Sequence, residues 1–164
     1  MKTRTPRGFT VVEIMIAVVT IGLLASLAVP LLAKAFKNAL AVRVVNDFKV
    51  VGDHFNLLIM QNPALPTGVY NENGDGTVPE GFDPEELPLR IFNHPIHQDT
   101  AYSFDLRSSL VAYNQGGVVL SPMNGYKIDL KLLRLIDGRL DDGNLATGNV
   151  TLNGEQLVYV SYHE

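Results

Sequence analysis

Cysteine is absent from the 164 residues, so no disulfide can brace the fold and no thiolate zinc site can form. A periplasmic chain can lack disulfides too, so this absence leaves the compartment open. Basic charge is also scarce. The chain carries 13 Lys and Arg against 17 Asp and Glu, and three of the positives, Lys2, Arg4 and Arg7, precede Gly8. Without those three, 10 basic residues face 17 acidic ones, a net charge near −7. No basic patch remains to neutralise phosphates, which argues against a nucleic-acid partner. Also missing are a nucleophile elbow, a Walker A loop, a GxGxxG turn and a recognisable catalytic triad. The expectation is a structural chain and not an enzyme.

What the chain has in plenty is one apolar block. The 25 residues from Phe9 to Ala33 contain a single charge, Glu13. As a helix they would extend roughly 38 Å, enough to cross about 30 Å of bilayer hydrocarbon with some tilt. Basic residues flank the block on both sides, Lys2, Arg4 and Arg7 before it and Lys34 and Lys37 after it, so the positive-inside bias is slight. A short basic N-terminus ordinarily stays in the cytoplasm, which puts the bulk of the chain outside.

A cleaved secretory signal is the rival reading, with a small-residue site at Ser26-Leu27-Ala28 and a mature chain starting at Val29. That would make the protein a secreted binding module. The block is longer than the roughly 7–15 apolar residues of a signal peptide. Glu13 is also out of place in one, because a carboxylate near hydrocarbon is costly without a partner, and no Lys or Arg stands between Phe9 and Ala33.

The run Arg7-Gly8-Phe9-Thr10-Val11-Val12-Glu13 resembles the type IV prepilin signature: a basic leader ending in Gly, an aromatic first mature residue, and Glu at the fifth mature position. The resemblance implies a leader at 1–8, cut by a prepilin peptidase between Gly8 and Phe9, and N-methylation of Phe9. It implies an assembly role for Glu13, paired with the Phe9 ammonium of a neighbouring subunit, and a helix kink at Pro30. It further implies a transmembrane and assembly helix at 9–33 and a periplasmic or extracellular domain at 34–164. The precursor would sit in the bacterial inner membrane as a single-pass protein. Its partners would be membrane lipid, an inner-membrane assembly platform and other pilin-like subunits of a type IV pilus or type II secretion pseudopilus. Lacking cysteine, the chain lacks the disulfide-closed loop of many type IVa major pilins, which tilts the reading toward a pseudopilin or minor pilin.

Beyond the block, Ala41, Val44, Val45, Phe48, Val51, Phe55 and Ile59 recur at helical steps and predict one stripe packed on a sheet. Val42, Val50, Leu57 and Met60 fall on other faces, where loops or neighbouring subunits would cover them. Asn62-Pro63 ends the helix, which thus runs from about 9 to 62. Residues 63–98 have loop composition, with six prolines and a helical turn expected at 83–87. Strands are expected at 101–106, 109–113 and 118–120, and a hairpin from 149–152 and 156–162 around Asn153-Gly154. Residues 128–136 fit neither period well, with helix the preferred reading. The fold class is therefore α+β: a long N-terminal helix, kinked near Pro30, packed on a small C-terminal antiparallel sheet, the pilin-like architecture.

Three clusters have the residue types of metal sites. Asp137, Asp141, Asp142 and Asn144 place four oxygen donors within eight residues, suited to calcium, against the alternative of an Asx-rich turn capping its own backbone. Major pseudopilins carry a calcium site in the loops of their C-terminal domain, so the resemblance supports the idea. The surrounding 140–148 segment also resembles a C-terminal motif of some pilin-like proteins. Asn71-Glu72-Asn73-Gly74-Asp75-Gly76 opens like an EF-hand loop but would place Phe82 where a bidentate Glu is required, so a plain turn is expected. His94-Pro95-Ile96-His97 with Asp99 lacks a strong third ligand and reads as solvated loop.

Overall fold

The computed structural model describes residues 8–61, 68–71, 76–78, 85, 95–105 and 117–160. Two compact units divide the chain, Met1–Lys37 and Asn38–Glu164. Helix α1, Val11–Gln61, runs through 51 residues of both.

In the first unit every described residue is exposed, apolar side chains on all sides of the helix included. A helix that is apolar around its whole circumference is stable only where water is excluded. By length and composition this stretch can cross a membrane. Its few hydroxyls are already satisfied: Thr20 donates to Ala17 C=O at 2.8 Å and Ser26 to Leu23 C=O at 2.7 Å. Pro30 lies inside the helix, where its ring removes the N–H that Ser26 C=O would otherwise accept.

In the second unit α1 turns Ala41, Val44, Phe48 and Val51 into the core. Val45 is half-buried, while Phe55 and Ile59 lie outside the described side chains. Val42, Leu57 and Met60 are exposed, and only Val50 packs against the core.

Five antiparallel strands form one sheet in the order β1-β2-β3-β5-β4: β1 Val69–Tyr70, β2 Thr100–Asp105, β3 Gly117–Pro122, β4 Val150–Asn153 and β5 Gln156–Val160. The two-residue β1 falls in the stretch read as loop, being too short to show a period. The expected strand at 109–113 and most of the turn at 83–87 lie outside the described residues. Period-two alternation sorts the strands onto two faces. Tyr102, Phe104, Val118, Leu120, Val150 and Leu157 join the core with α1, and Val119, Val158 and Val160 form a smaller cluster of their own. Phe48 is central: it stacks on Tyr159 at 5.4 Å and tilts against Tyr102 at 5.8 Å.

Helix α2, Leu130–Leu140, resolves the ambiguous segment. Asp129 caps it, accepting from Lys131 N–H at 2.9 Å, so Ile128 precedes the helix and its apolar neighbours need not share one face. Leu132, Leu133 and Ile136 are buried, and Leu130 and Leu135 are exposed. The final hairpin turns one residue later than Asn153-Gly154 implies. Asn153 pairs with Gln156 inside the ladder, and the turn is Gly154-Glu155. A positive φ of 63° at Gly154 alone fits a type II′ turn, which needs glycine first, not the type I′ turn of an Asn-Gly pair.

One acid is buried where the stripe was read as apolar. Asp47 accepts from the Tyr102 hydroxyl at 3.2 Å and lies 4.0 Å from Arg43 Nε, one turn earlier. A carboxylate out of water is tolerated only when paired this way, so the contact fixes how the helix meets the sheet. The packing analysis yields a first test. Phe48→Ala should cost the folded domain about 3–5 kcal/mol, read as an earlier urea unfolding midpoint of the detergent-solubilised chain.

Candidate functional site

The N-terminal residues of interest lie in the first unit. Phe9 is 84% exposed, and no described atom crowds Gly8. Glu13 is not as bare as the sequence reading left it. Its Oε2 accepts from Thr10 N–H at 2.8 Å and from the Thr10 hydroxyl at 2.9 Å, while Glu13 N–H donates back to Thr10 Oγ1 at 3.3 Å. This is a capping box, and its signal was in the sequence as Thr-x-x-Glu ahead of an apolar run. Hydrogen bonds to a neutral residue leave the charge uncompensated, and among the described residues no cation pairs with it.

The acidic turn lies in the second unit, between α2 and β4. Asp141 ends α2, and its Oδ2 accepts from the backbone N–H of Asn149 and, at 3.4 Å, of Val150. Gly148 leaves room for this contact: a Cβ there would fall 1.7 Å from Asp141 Oδ2, and its φ of +83° disfavours any other residue. Asp142 accepts from Asn144 N–H at 2.7 Å and from the Thr147 hydroxyl at 2.7 Å. Those two bonds hold the Asp142 carboxyl below the usual range. Asn144 Oδ1 in turn accepts from Ala146 N–H at 3.3 Å. These are the self-capping bonds of an Asx-rich turn.

Asp137 does not fit that description. It is fully buried, one turn before the end of α2, and neither carboxylate oxygen makes a hydrogen bond. Oxygens of Asp137, Asp141 and Asp142 all lie within 4.8 Å of one another. Burial pushes the Asp137 carboxyl up, the charges of Asp142 and Asp141 push it further, and the nearby Gly143 N–H only partly offsets them. An orphaned buried carboxylate facing two others is a poor arrangement for a bare chain and a good one for a hard cation.

The other two clusters are described only in part. Asn71 is buried in the left-handed region, φ 54°. Its side chain accepts from Gly76 N–H at 2.7 Å and donates to Tyr102 C=O at 2.8 Å, tying the loop to β2. Residues 72–75 of the EF-hand-like run lie outside the described residues. His97 stacks on Tyr126 at 4.4 Å, with Nδ1 3.2 Å from the Asp99 carboxylate. His94 is outside the described residues, and no third ligand joins His97 and Asp99 among those described.

A long apolar N-terminal helix followed by a small antiparallel sheet is a pilin-like arrangement. Over 67 residues the chain is 36% identical to type II secretion system core protein G of Klebsiella michiganensis, a match covering 41% of this chain and 47% of that protein. The chain thus spans about half the length of the curated relative it matches. No family model and no solved structure matches it.

Asp137 generates a test of its own. Because its carboxyl is raised in the folded state, it costs nothing at pH values where both states are protonated. As pH rises the unfolded chain ionises first, so stability falls until pH passes the folded pKa, and above it the full cost persists. Asp142, held low, acts in the opposite sense. Asp137→Asn should therefore raise the melting temperature at pH 7 without divalent cations, by about 1 kcal/mol or roughly 4 °C, and make no difference near pH 3.

Proposed function

We propose that this chain is a structural filament subunit of the type II secretion pseudopilus, built from the same parts as a type IV pilin. The observation that carries the reading is the fully exposed, apolar first half of α1 with one carboxylate at its start. The similarity to a type II secretion core protein favours that system over a pilus. In this reading prepilin peptidase cuts between Gly8 and Phe9, and Phe9 is N-methylated. The precursor spans the inner membrane once with residues 34–164 outside the cytoplasm. An inner-membrane platform then lifts it into a polymer with other pilin-like subunits. The role is mechanical, and no catalysis is assigned to it.

Glu13 acts in assembly. In the membrane its carboxylate stays near the headgroups, held by Thr10. In a filament core neither water nor headgroups remain, and the Phe9 ammonium of a neighbour is the available cation, since no Lys or Arg occurs between Phe9 and Ala33. Desolvation offsets much of the Coulomb gain of such a pair, so its main effect is register: an axial offset would strand the carboxylate.

The acidic turn is assigned calcium, with Asp137, Asp141, Asp142 and Asn144 as protein ligands. The orphaned Asp137 oxygens favour this over a turn that only caps itself. The ion supplies the positive charge that lets three carboxylates converge where α2 runs into the loop before β4.

Mass spectrometry of membrane-extracted protein should find a mature chain beginning at N-methylated Phe9, whereas a start at Val29 would establish a secreted protein with an ordinary signal peptide. Glu13→Val should be made, cleaved and inserted, yet give few or no sheared filaments on immunoblots; normal filament abundance would reduce Glu13 to a peptidase-recognition feature. Millimolar calcium, and not magnesium, should raise the melting temperature of wild type but not of Asp137→Ala. Saturation at 100 times Kd corresponds to about 2.7 kcal/mol. An unchanged wild-type melting curve would leave the turn to its own hydrogen bonds.

A further inference from the structure

Positive charge in the second unit is concentrated on α2 and the turn before it. Of the 10 Lys and Arg beyond Gly8, four fall within thirteen residues: Lys127, Lys131, Arg134 and Arg139. All four are exposed, and none has a side-chain hydrogen bond or ion pair with a described residue. Lys131, Arg134 and Gly138 run down the middle of the exposed face at steps of three and four. Leu130, 55% exposed, and Leu135, 36% exposed, flank that row on either side.

No acid alternates with these cations. Asp137 lies on the buried side of the helix, and Asp129 stands at its N-cap, accepting from Lys131 N–H. Past its end, Asp141 and Asp142 accept from donors of their own loop. A solvated helix gains from pairs of opposite charge three or four residues apart and loses from like pairs. Here Lys131 and Arg134 stand three apart with no acid to offset them, in a chain whose balance is otherwise acidic. Beside the row lies an apolar recess of about 660 Å³, lined by Leu130, Leu145, Ala146 and Leu152 together with Arg134. Cations next to apolar surface are the complement of phosphate next to hydrocarbon.

We propose that the exposed face of α2 docks on a bilayer surface of anionic phospholipid. Lys127, Lys131, Arg134 and Arg139 lie among the headgroup phosphates, and Leu130 and Leu135 reach the layer just beneath. Leu132, Leu133 and Ile136 are committed to the core, so α2 does not insert as a free interfacial helix would. The contact stays at headgroup depth, as for a polybasic segment beside a membrane span. Anchoring by the first half of α1 keeps the surface within reach, so a weak attraction suffices. An acidic protein would match the cations but leave the leucines and the recess without a role. The proposal rests on the membrane-anchored reading above and not on polymerisation.

The full-length chain in lipid nanodiscs tests it. Because the chain has no cysteine, Leu135→Cys gives a single attachment point for a fluorescent dye. With equal parts phosphatidylglycerol and phosphatidylcholine, acrylamide should quench the dye roughly threefold less than with phosphatidylcholine alone. Salt at 1 M, where the Debye length is about 3 Å, should remove the difference. Lys131→Glu with Arg134→Glu in the labelled chain should remove it too, with an unchanged urea midpoint, since both side chains are exposed. Equal quenching in the two lipids overturns the docking, as does a difference that salt leaves intact. Shielding in native membranes but not in lipid alone would point to a protein partner and overturns it as well. A dye at Val19→Cys reports the anchor separately. If that dye is open to quencher, the anchored reading falls and the docking with it; a shielded Val19 dye with an open Leu135 dye sinks the docking alone.

Discussion

Everything in this molecule depends on the apolar circumference of the first half of α1. From Val11 to Lys37 every residue is exposed. Water cannot be the resting environment of such a rod, because each large apolar side chain left in it forgoes about 1.5–3 kcal/mol of burial. The hydroxyls of Thr20 and Ser26 turn back onto their own backbone, which removes the remaining polar groups from the surface of the rod. Up to Ala33, only Glu13 is left as a charge. A segment of this kind is at home where water is excluded.

That domain holds α1 by a different logic. From Ala41 onward one face of the helix is committed to the sheet, through Phe48 between Tyr102 and Tyr159, with Asp47 held by the Tyr102 hydroxyl beside them. A single helix therefore presents an apolar surface on all sides at one end and a divided surface at the other. The change comes where Lys34 and Lys37 first interrupt the apolar run.

Most of this was legible because the relevant signals are periodic. Ala41, Val44, Phe48 and Val51 sit at helical spacing, and the alternation in β2, β3 and β5 marks strands with two distinct faces. What escaped was of another kind. Asp47 interrupts the pattern, and its acceptability depends on Tyr102, which is 55 residues away. The Thr10–Glu13 box was readable, but attention to the missing cation hid the nearby hydroxyl. Asp141 and Asp142 were grouped correctly with Asp137, yet a list of acids cannot tell that two are occupied by N–H and hydroxyl donors while the third is buried without one. The hairpin shifted by a residue because Asn153 stays in the ladder and leaves the positive φ to Gly154. Local periodicity reports burial well; satisfaction of a polar group is a tertiary fact.

The strand order has a consequence for how the domain is made. β5 is the last strand among the described residues, yet it lies between β3 and β4. A polypeptide synthesised from its N-terminus shows the unpaired side of β3, with Val118, Val119 and Leu120, until residue 160 has emerged. Through that interval the nascent domain carries an apolar open edge of the sort that recruits other strands. A message truncated before Gln156 would leave that edge open permanently and would yield an aggregation-prone species, not merely a shortened one.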